Sequence, residues 1–496
     1  MRRKFPLSSR ALLGAASVAA LLSGCAVGPD FERPAAPSDQ TYDSAAMPNG
    51  TAQADVHGGD AQHFAAGADV PGEWWTLFRS PALDALVRQA LAANPDLKAA
   101  DATLRQAREL AAAQSGALLP SVDASFNQQR ERLAAAQTGL PGYAPIYNLT
   151  TAQVSVSYTL DVFGGVRRSI EASEAAADYQ RWQREAQALT LTSNIVTAAV
   201  QEASLRAQIA AERQIVDDET HQLEVINRQF DLGGASKTDV LSQQSLLAQS
   251  RATLPGLEKQ LQQQRHLLAT LAGNTPGQGI SAEFDLEKLI LPAELPLSLP
   301  AKLVEQRPDV QAATATLHQA SAEVGVAIAN QWPKLTLSAD IGSAAINGAK
   351  FFTEGAEFWS LGAGVTQPIF HGETLSHQRA AAEAALEAAA AQYQSTVLNA
   401  LRNVADTLRA LQSDAETLAR QLEAENAAAG NLALARERYQ VGAISYLTLL
   451  DAERTEAQTH ISLIQAQAAR YSDTAALLQA LGGGWWNRPD TTPKGA

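Results

Sequence analysis

Asn94-Pro95-Asp96-Leu97-Lys98-Ala99-Ala100-Asp101-Ala102-Thr103-Leu104-Arg105-Gln106-Ala107 returns later in the chain as Arg307-Pro308-Asp309-Val310-Gln311-Ala312-Ala313-Thr314-Ala315-Thr316-Leu317-His318-Gln319-Ala320. At nearly the same spacing Pro120 falls on Pro333, and Asp161-Val162-Phe163-Gly164-Gly165 on Pro368-Ile369-Phe370-His371-Gly372. Phe230-Asp231-Leu232-Gly233 likewise meets Tyr439-Gln440-Val441-Gly442. Collinear matches of this kind mark a tandem duplication, and a repeat fixes the fold before any single element does.

Each copy shows the same order of elements. Helical patterns run from about Pro81 to Leu119 and from about Pro300 to Trp332. Two alternating segments follow in each copy. Val122, Ala124 and Phe126 alternate with Asp123, Ser125 and Asn127, and Val154, Val156, Tyr158 and Leu160 alternate with Ser155, Ser157 and Thr159. In the second copy Leu335, Leu337, Ala339 and Ile341 alternate with Thr336, Ser338 and Asp340, and Trp359, Leu361, Ala363 and Val365 with Ser360, Gly362, Gly364 and Thr366. A strict period of two with small polar partners predicts strands with one apolar and one watered face, in a membrane barrel or on a half-buried soluble sheet. Then come proline-free helical stretches from about Val166 to Phe230 and Glu373 to Tyr439, each long enough at 1.5 Å per residue to reach about 100 Å. Leu401, Ala405, Leu408, Leu411, Ala415, Leu418 and Leu422 approximate a coiled-coil seam. The stretches break at Gly233-Gly234 and Gly442, which permit left-handed helix ends, and resume to about Leu271 and Leu481. Between the copies, Pro276, Pro292, Pro296 and Pro300 predict an irregular linker.

Composition narrows the function. The 496 residues are 46% hydrophobic but only 6% aromatic, as expected of long Ala-rich helices. With 38 basic and 52 acidic residues the net charge is -14, which argues against a nucleic-acid partner. The single cysteine, Cys25, excludes an internal disulfide and a Cys-cluster zinc site. Arg2, Arg3, Lys4 and Arg10 precede an apolar stretch from Ala11 to Leu22, the layout of an export signal. It ends in Leu22-Ser23-Gly24-Cys25, which resembles the bacterial lipoprotein signal; a thiol there is the nucleophile that takes up lipid. Ala26 follows in place of the Asp that would imply inner-membrane retention. No histidine pair has metal-ligand spacing, Gly233-Gly234-Ala235-Ser236-Lys237 lacks the order of a phosphate loop, and no nucleophile–base set stands out. The expectation is no enzyme, no metal and no cofactor apart from a covalent lipid on Cys25.

Four two-faced strands leave two edges with unpaired backbone groups, which lipid does not tolerate. Closure therefore demands shared barrels. Three copies, giving twelve strands, leave room for a channel where two copies would not.

The chain resembles the outer-membrane factor family, the TolC-like exit ducts of efflux pumps and type I secretion, nearest to their lipoprotein branch in multidrug efflux. The signatures are Gly24-Cys25-Ala26-Val27-Gly28-Pro29-Asp30-Phe31, Trp74-Trp75-Thr76-Leu77-Phe78, Tyr158-Thr159-Leu160-Asp161-Val162-Phe163-Gly164, Arg307-Pro308-Asp309-Val310, Tyr439-Gln440-Val441-Gly442 and Leu481-Gly482-Gly483-Gly484-Trp485. The resemblance implies a mainly α fold with a membrane β-barrel. A homotrimer would form a 12-stranded β-barrel continuous with a 12-helix periplasmic α-barrel, belted by an equatorial domain.

On this reading residues 1–24 are a signal peptide and 25–80 an anchored extended segment. Residues 81–272 and 300–481 are the two repeats, 273–299 the linker and 482–496 a tail. The implied function is passive export of small molecules or drugs through the outer membrane of a Gram-negative cell. Implied partners are a periplasmic adaptor, an inner-membrane pump and outer-membrane lipids. A protein-secretion duct and a lipid-anchored periplasmic scaffold are the alternatives. The resemblance further implies that Leu447 and Asp451, four apart on one helix face, form the periplasmic gate as a leucine and a carboxylate ring. Thr238, Asp239 and Tyr439 match the closed-state latch, and Gly233, Gly234 and Gly442 mark the adaptor-docking tips. Ile444 replaces an arginine of that latch and Thr448 the first of two ring aspartates.

Overall fold

The computed structural model describes residues 26–39, 41–44, 48–134, 136, 144–346, 350–351 and 353–488. Residues 1–25, which hold the expected signal sequence and the Cys25 expected to accept lipid, and the end of the tail lie outside the described residues. The chain divides into two compact units, one comprising residues 1–33, 104–180 and 313–393 and the other residues 34–103, 181–312 and 394–496.

The first unit holds a sheet of β2 (Ser121–Arg132), β3 (Ile146–Leu160), β5 (Lys334–Ala345) and β6 (Glu357–Thr366), antiparallel throughout in the order β2-β3-β5-β6. Register turns four separate alternations into one surface. Val122 faces Val156, Val154 faces Ile341 and Tyr158 faces Leu337; Ile341 in turn faces Trp359, and Leu335 faces Val365. Directly opposed residues share a face, so these apolar side chains lie together while Ser125, Asn127, Ser157, Thr336, Ser338 and Ser360 occupy the other face. The apolar face is uncovered: Val122, Phe126, Ile341, Trp359, Leu361 and Val365 are 64–77% exposed. A soluble sheet would bury such a face. Among the described residues the outer strands β2 and β6 each keep one unpaired edge.

The strands hand over to helix α3 (Gly165–Asp231) through a built corner. The Asp161 carboxylate accepts from the backbone N–H groups of Val166 at 2.8 Å and Arg167 at 2.9 Å, satisfying donors that a helix start leaves open. The chain just beyond Cys25 docks here. Val27 N–H donates to Phe163 O at 3.1 Å, and the Arg168 guanidinium binds Asp30 at 2.7 Å and Glu171 at 2.8 Å. Phe31 stacks on His318 with centroids 4.3 Å apart. Gly164, at φ 76°, lets Ala26 approach; a Cβ there would come within 2.5 Å of the Ala26 Cα.

The second unit is helical. The expected helix from Pro81 to Leu119 is two, α1 (Pro81–Ala93) and α2 (Pro95–Ser115). Pro95 drives Asn94 to ψ 126°, outside the helical region, and Asn94 Oδ1 then accepts from Asp96 N–H at 2.9 Å and Leu97 N–H at 3.1 Å. Pro308 breaks the second copy in the same way, into α5 (Pro300–Gln306) and α6 (Pro308–Ala329). Part of the expected irregular linker is also ordered: β4 (Glu294–Leu297) pairs in parallel with β1 (His63–Ala66). Period reading missed this pair because each strand has 4 residues, too few to show alternation.

Helices α4 (Lys237–Leu271), α7 (Thr374–Gln440) and α8 (Tyr446–Ala480) complete the set. Of the expected α7 seam, Leu408, Leu411, Ala415 and Leu418 are at most 1% exposed, whereas Leu401, Ala405 and Leu422 are only partly buried. Arg470 of α8 is fully buried and donates to Gly58 O at 2.7 Å, Asp60 O at 3.0 Å and Thr51 Oγ1 at 3.2 Å, fixing the N-terminal segment to the helix. No described helix is long and apolar enough to cross a membrane.

Candidate functional site: the capped hairpin ends

Both long helices end on the same device. At the close of α3, Gly233 takes φ 82°, and Gly234 N–H returns to Gln229 O at 2.7 Å. At the close of α7, Gly442 takes φ 73°, and Ala443 N–H returns to Arg438 O at 2.8 Å. A Cβ at Gly233 or Gly442 would meet nothing within 4 Å. Glycine is therefore required there by the left-handed backbone and not by space. Gly234 has no such φ, and its Cβ would make ordinary contact with Gln229 O at 3.5 Å.

The returning helices are capped differently. Ser236 and Asp239 form a reciprocal capping box at the start of α4: Asp239 N–H donates to Ser236 Oγ at 3.2 Å, and Ser236 N–H to Asp239 Oδ2 at 2.8 Å. In α8 the N-cap is Ser445, which accepts from Thr448 N–H at 3.3 Å; Thr448 answers only with a hydroxyl contact at 3.0 Å. The Asp239 carboxylate is thus engaged by its own helix start. Tyr439 donates its hydroxyl to Gln229 Oε1 on α3 at 3.0 Å. Burial pushes this phenol upward, and the nearby Asp239 charge adds to it. Thr238 is exposed. Among the described residues Tyr439 makes no hydrogen bond to Thr238 or Asp239, so within one chain the three residues named for the latch are neighbours without being bonded as a set.

Leu447 and Asp451 do lie together. Tyr446, Leu449 and Leu450 turn the inner face of α8 into a core with Ile226, Val240, Leu246, Leu432 and Ala435. The opposite face presents Leu447, 56% exposed, and Asp451, also exposed. An apolar ledge next to a free carboxylate can constrict a passage and favour cations over anions. Arg454, exposed one turn on, completes this face and was not singled out by the sequence.

The sequence also gave no signal for the acids behind that face. Glu219 of α3 is 7% exposed, and Glu453 of α8 has a side chain 15% exposed. Each keeps one buried oxygen, Oε2, without a hydrogen-bond partner. Burial raises both, Glu453 to about 7. On the sequence, Glu219 sits in the run Asp217-Asp218-Glu219 and reads as a solvated charge. Among the described residues no group of His, Cys, Asp and Glu could hold a metal ion.

A duplicated chain whose strands expose one continuous apolar face, and whose 67-residue helices end in capped hairpins, defines the class of outer-membrane channels with a helical extension. The model of one family, the outer membrane efflux proteins, matches residues 86–274 and 299–483, and the chain belongs to that family. The pyoverdine export outer membrane protein OpmQ of Pseudomonas aeruginosa is 33% identical over 422 residues, covering 83% of this chain and 87% of the relative. The toluene efflux pump outer membrane protein TtgC of Pseudomonas putida is 29% identical and covers 97% of both chains. Among solved structures the outer-membrane channel OprN superposes with a TM-score of 0.83 at 27% identity, covering 93% of this chain and 100% of that one. The Neisseria gonorrhoeae MtrE channel, at 24% identity and a TM-score of 0.79, shares the fold. The chain is thus an outer-membrane protein that serves efflux.

Proposed function

We propose that this chain is the passive exit duct of a tripartite efflux pump, closed from three copies and opened when an adaptor and an inner-membrane pump engage its hairpin ends. The observation that carries this reading is the sheet. One uncovered apolar face and two unpaired edges are unstable in water and in lipid alike, and sharing strands among copies satisfies both at once. Three copies give twelve strands and an interior lined by Ser125, Asn127, Ser157, Thr336 and Ser338, wide enough for water.

Cys25 carries covalent lipid on this reading, palmitate included, and the contacts of Val27 with Phe163, Asp30 with Arg168 and Phe31 with His318 support it by tying down the segment that follows residue 25. Residues 81–272 and 300–481 serve as the two barrel-building repeats. No catalysis is assigned to the chain. Its cargo is of the kind that relatives are named for, small organic molecules such as pyoverdine, toluene and other solvents.

The test is reconstitution. Purified protein in planar bilayers gives stepwise conductance with a mass of three chains in detergent, and deletion in the native host sensitises cells to a pump substrate. A monodisperse monomer that stays soluble once Cys25 is replaced overturns the reading.

A further inference from the structure

The hairpin core formed by α3, α4, α7 and α8 is closed on one side by acids. Glu453 follows Ala452, the last core residue of α8, and Glu219 stands one turn before Leu223, which packs against the same core from α3. Ser250 of α4 donates to Glu219 Oε1 at 2.9 Å, while Glu219 Oε2 has no donor. On Glu453, Oε1 lies 3.9 Å from Arg436 Nη2 of α7, beyond hydrogen-bond reach, while Oε2 has none. One buried and one half-buried carboxylate, each with a buried Oε2 that lacks a donor, are costly as anions and acceptable as acids.

We propose that Glu219 and Glu453 form a proton-operated clamp, in which protonation seats the first turns of α8 against α3 and deprotonation loosens them. It rests on the duct reading above and supplies its regulation: α8 carries Leu447 and Asp451 on the outer face of the same turns, so loosening moves the gate. The charged surroundings are mostly acidic. Asp218 and Glu212 from α3 and Glu456 from α8 add repulsion, and Tyr446 and Asp239 add no positive charge. Among the described residues Arg436 of α7 is the cation that lowers Glu453, and Arg251 of α4 is directed to Thr220 at 3.2 Å.

The sign follows from burial. Glu453 titrates at about 7 when packed, against 4.5 when released. Packing is therefore fully favoured below pH 4.5, weakens as pH rises, and has lost this contribution above 7. Across that window the released state gains by up to about three-hundredfold for one such group.

Full-length protein in planar bilayers, with pH varied on the side facing the hairpins, reads the gate. Hydrogen exchange over residues 446–460 in the purified protein reads the clamp without any channel. Expected are rising open probability and falling protection from pH 5 to pH 8. Glu453→Gln should hold both near their pH 5 values, and Glu219→Gln should reduce the change by several-fold. Asp451→Asn should keep the exchange profile, which separates the clamp from the outer carboxylate. A pH-dependent exchange profile without conductance would keep the clamp and overturn the duct. Conductance with identical pH profiles in wild type, Glu453→Gln and Glu219→Gln would overturn the clamp.

Discussion

On the proposed duct reading, Gly442 and Asp451 would carry function by different means. Gly442 holds φ 73° in open space, so only its backbone is specialised. A β-branched residue there costs on the order of 1–2 kcal/mol locally, too little to unfold the chain. Gly442→Val should therefore leave the yield of assembled protein nearly unchanged while weakening export, measured as drug susceptibility. Gly442→Asn, which tolerates the left-handed region, should restore most of it, and full export by the valine variant would remove the tip from the docking surface. Leu447 and Asp451 would contribute instead through side chains exposed on the face of α8 turned away from the core. Replacing both by alanine should raise resting conductance and admit large antibiotics without the pump. Unchanged conductance would place the constriction elsewhere.

At the scale of elements, the sheet makes the sharper prediction because register assigns every strand residue to a face. Ile341, opposite Val154 and Trp359, lies on the uncovered apolar face. On the barrel reading that face meets lipid, where a lysine near mid-membrane would cost about 2–4 kcal/mol, so Ile341→Lys should lower insertion and heat stability of the oligomer on gels. Ser125→Lys, on the polar face, should leave stability intact. Equal loss from both would mean that the sheet is not inserted with this face to lipid. These strands were legible in the sequence because period-two alternation is a direct imprint of a two-faced sheet, and the long helices were legible because no proline interrupts Gly165–Asp231 or Thr374–Gln440. The breaks at Asn94 and Arg307 were within reach of the Pro95 and Pro308 rule. The β1–β4 pair and the Arg470 hub were not, since both join segments far apart in the chain through backbone acceptors that have no side-chain signature. Glu219 and Glu453 were hidden for a similar reason: a carboxylate on a polar helix looks solvated until a neighbouring helix covers it.

For the whole molecule, the proposed assembly turns on the open edges. On the duct reading the edge of β2 in one chain meets the edge of β6 in the next, and the ring closes at a fixed copy number. Cys25 is the single cysteine, so a variant with Cys25→Ser and a cleavable export signal in place of residues 1–24 is a clean background for cross-linking. That background should still insert, because the apolar face of the sheet supplies lipid contact without the anchor. Asn127 on β2 lies on the polar face, as do Ser360, Gly362 and Gly364 on β6, so cysteines at these sites point into one interior when two chains abut. Pairing Asn127→Cys with each β6 position in turn samples the registers two residues apart. One pair should give disulfide-linked dimers and trimers under oxidation, with nothing larger, and with the trimer migrating as a closed species that reduction returns to monomer. Neighbouring registers should link several-fold less. A ladder ending at two chains would close an eight-stranded barrel too narrow to conduct. A ladder running past three, or none in any register, would show that these edges do not join into the ring on which the duct depends.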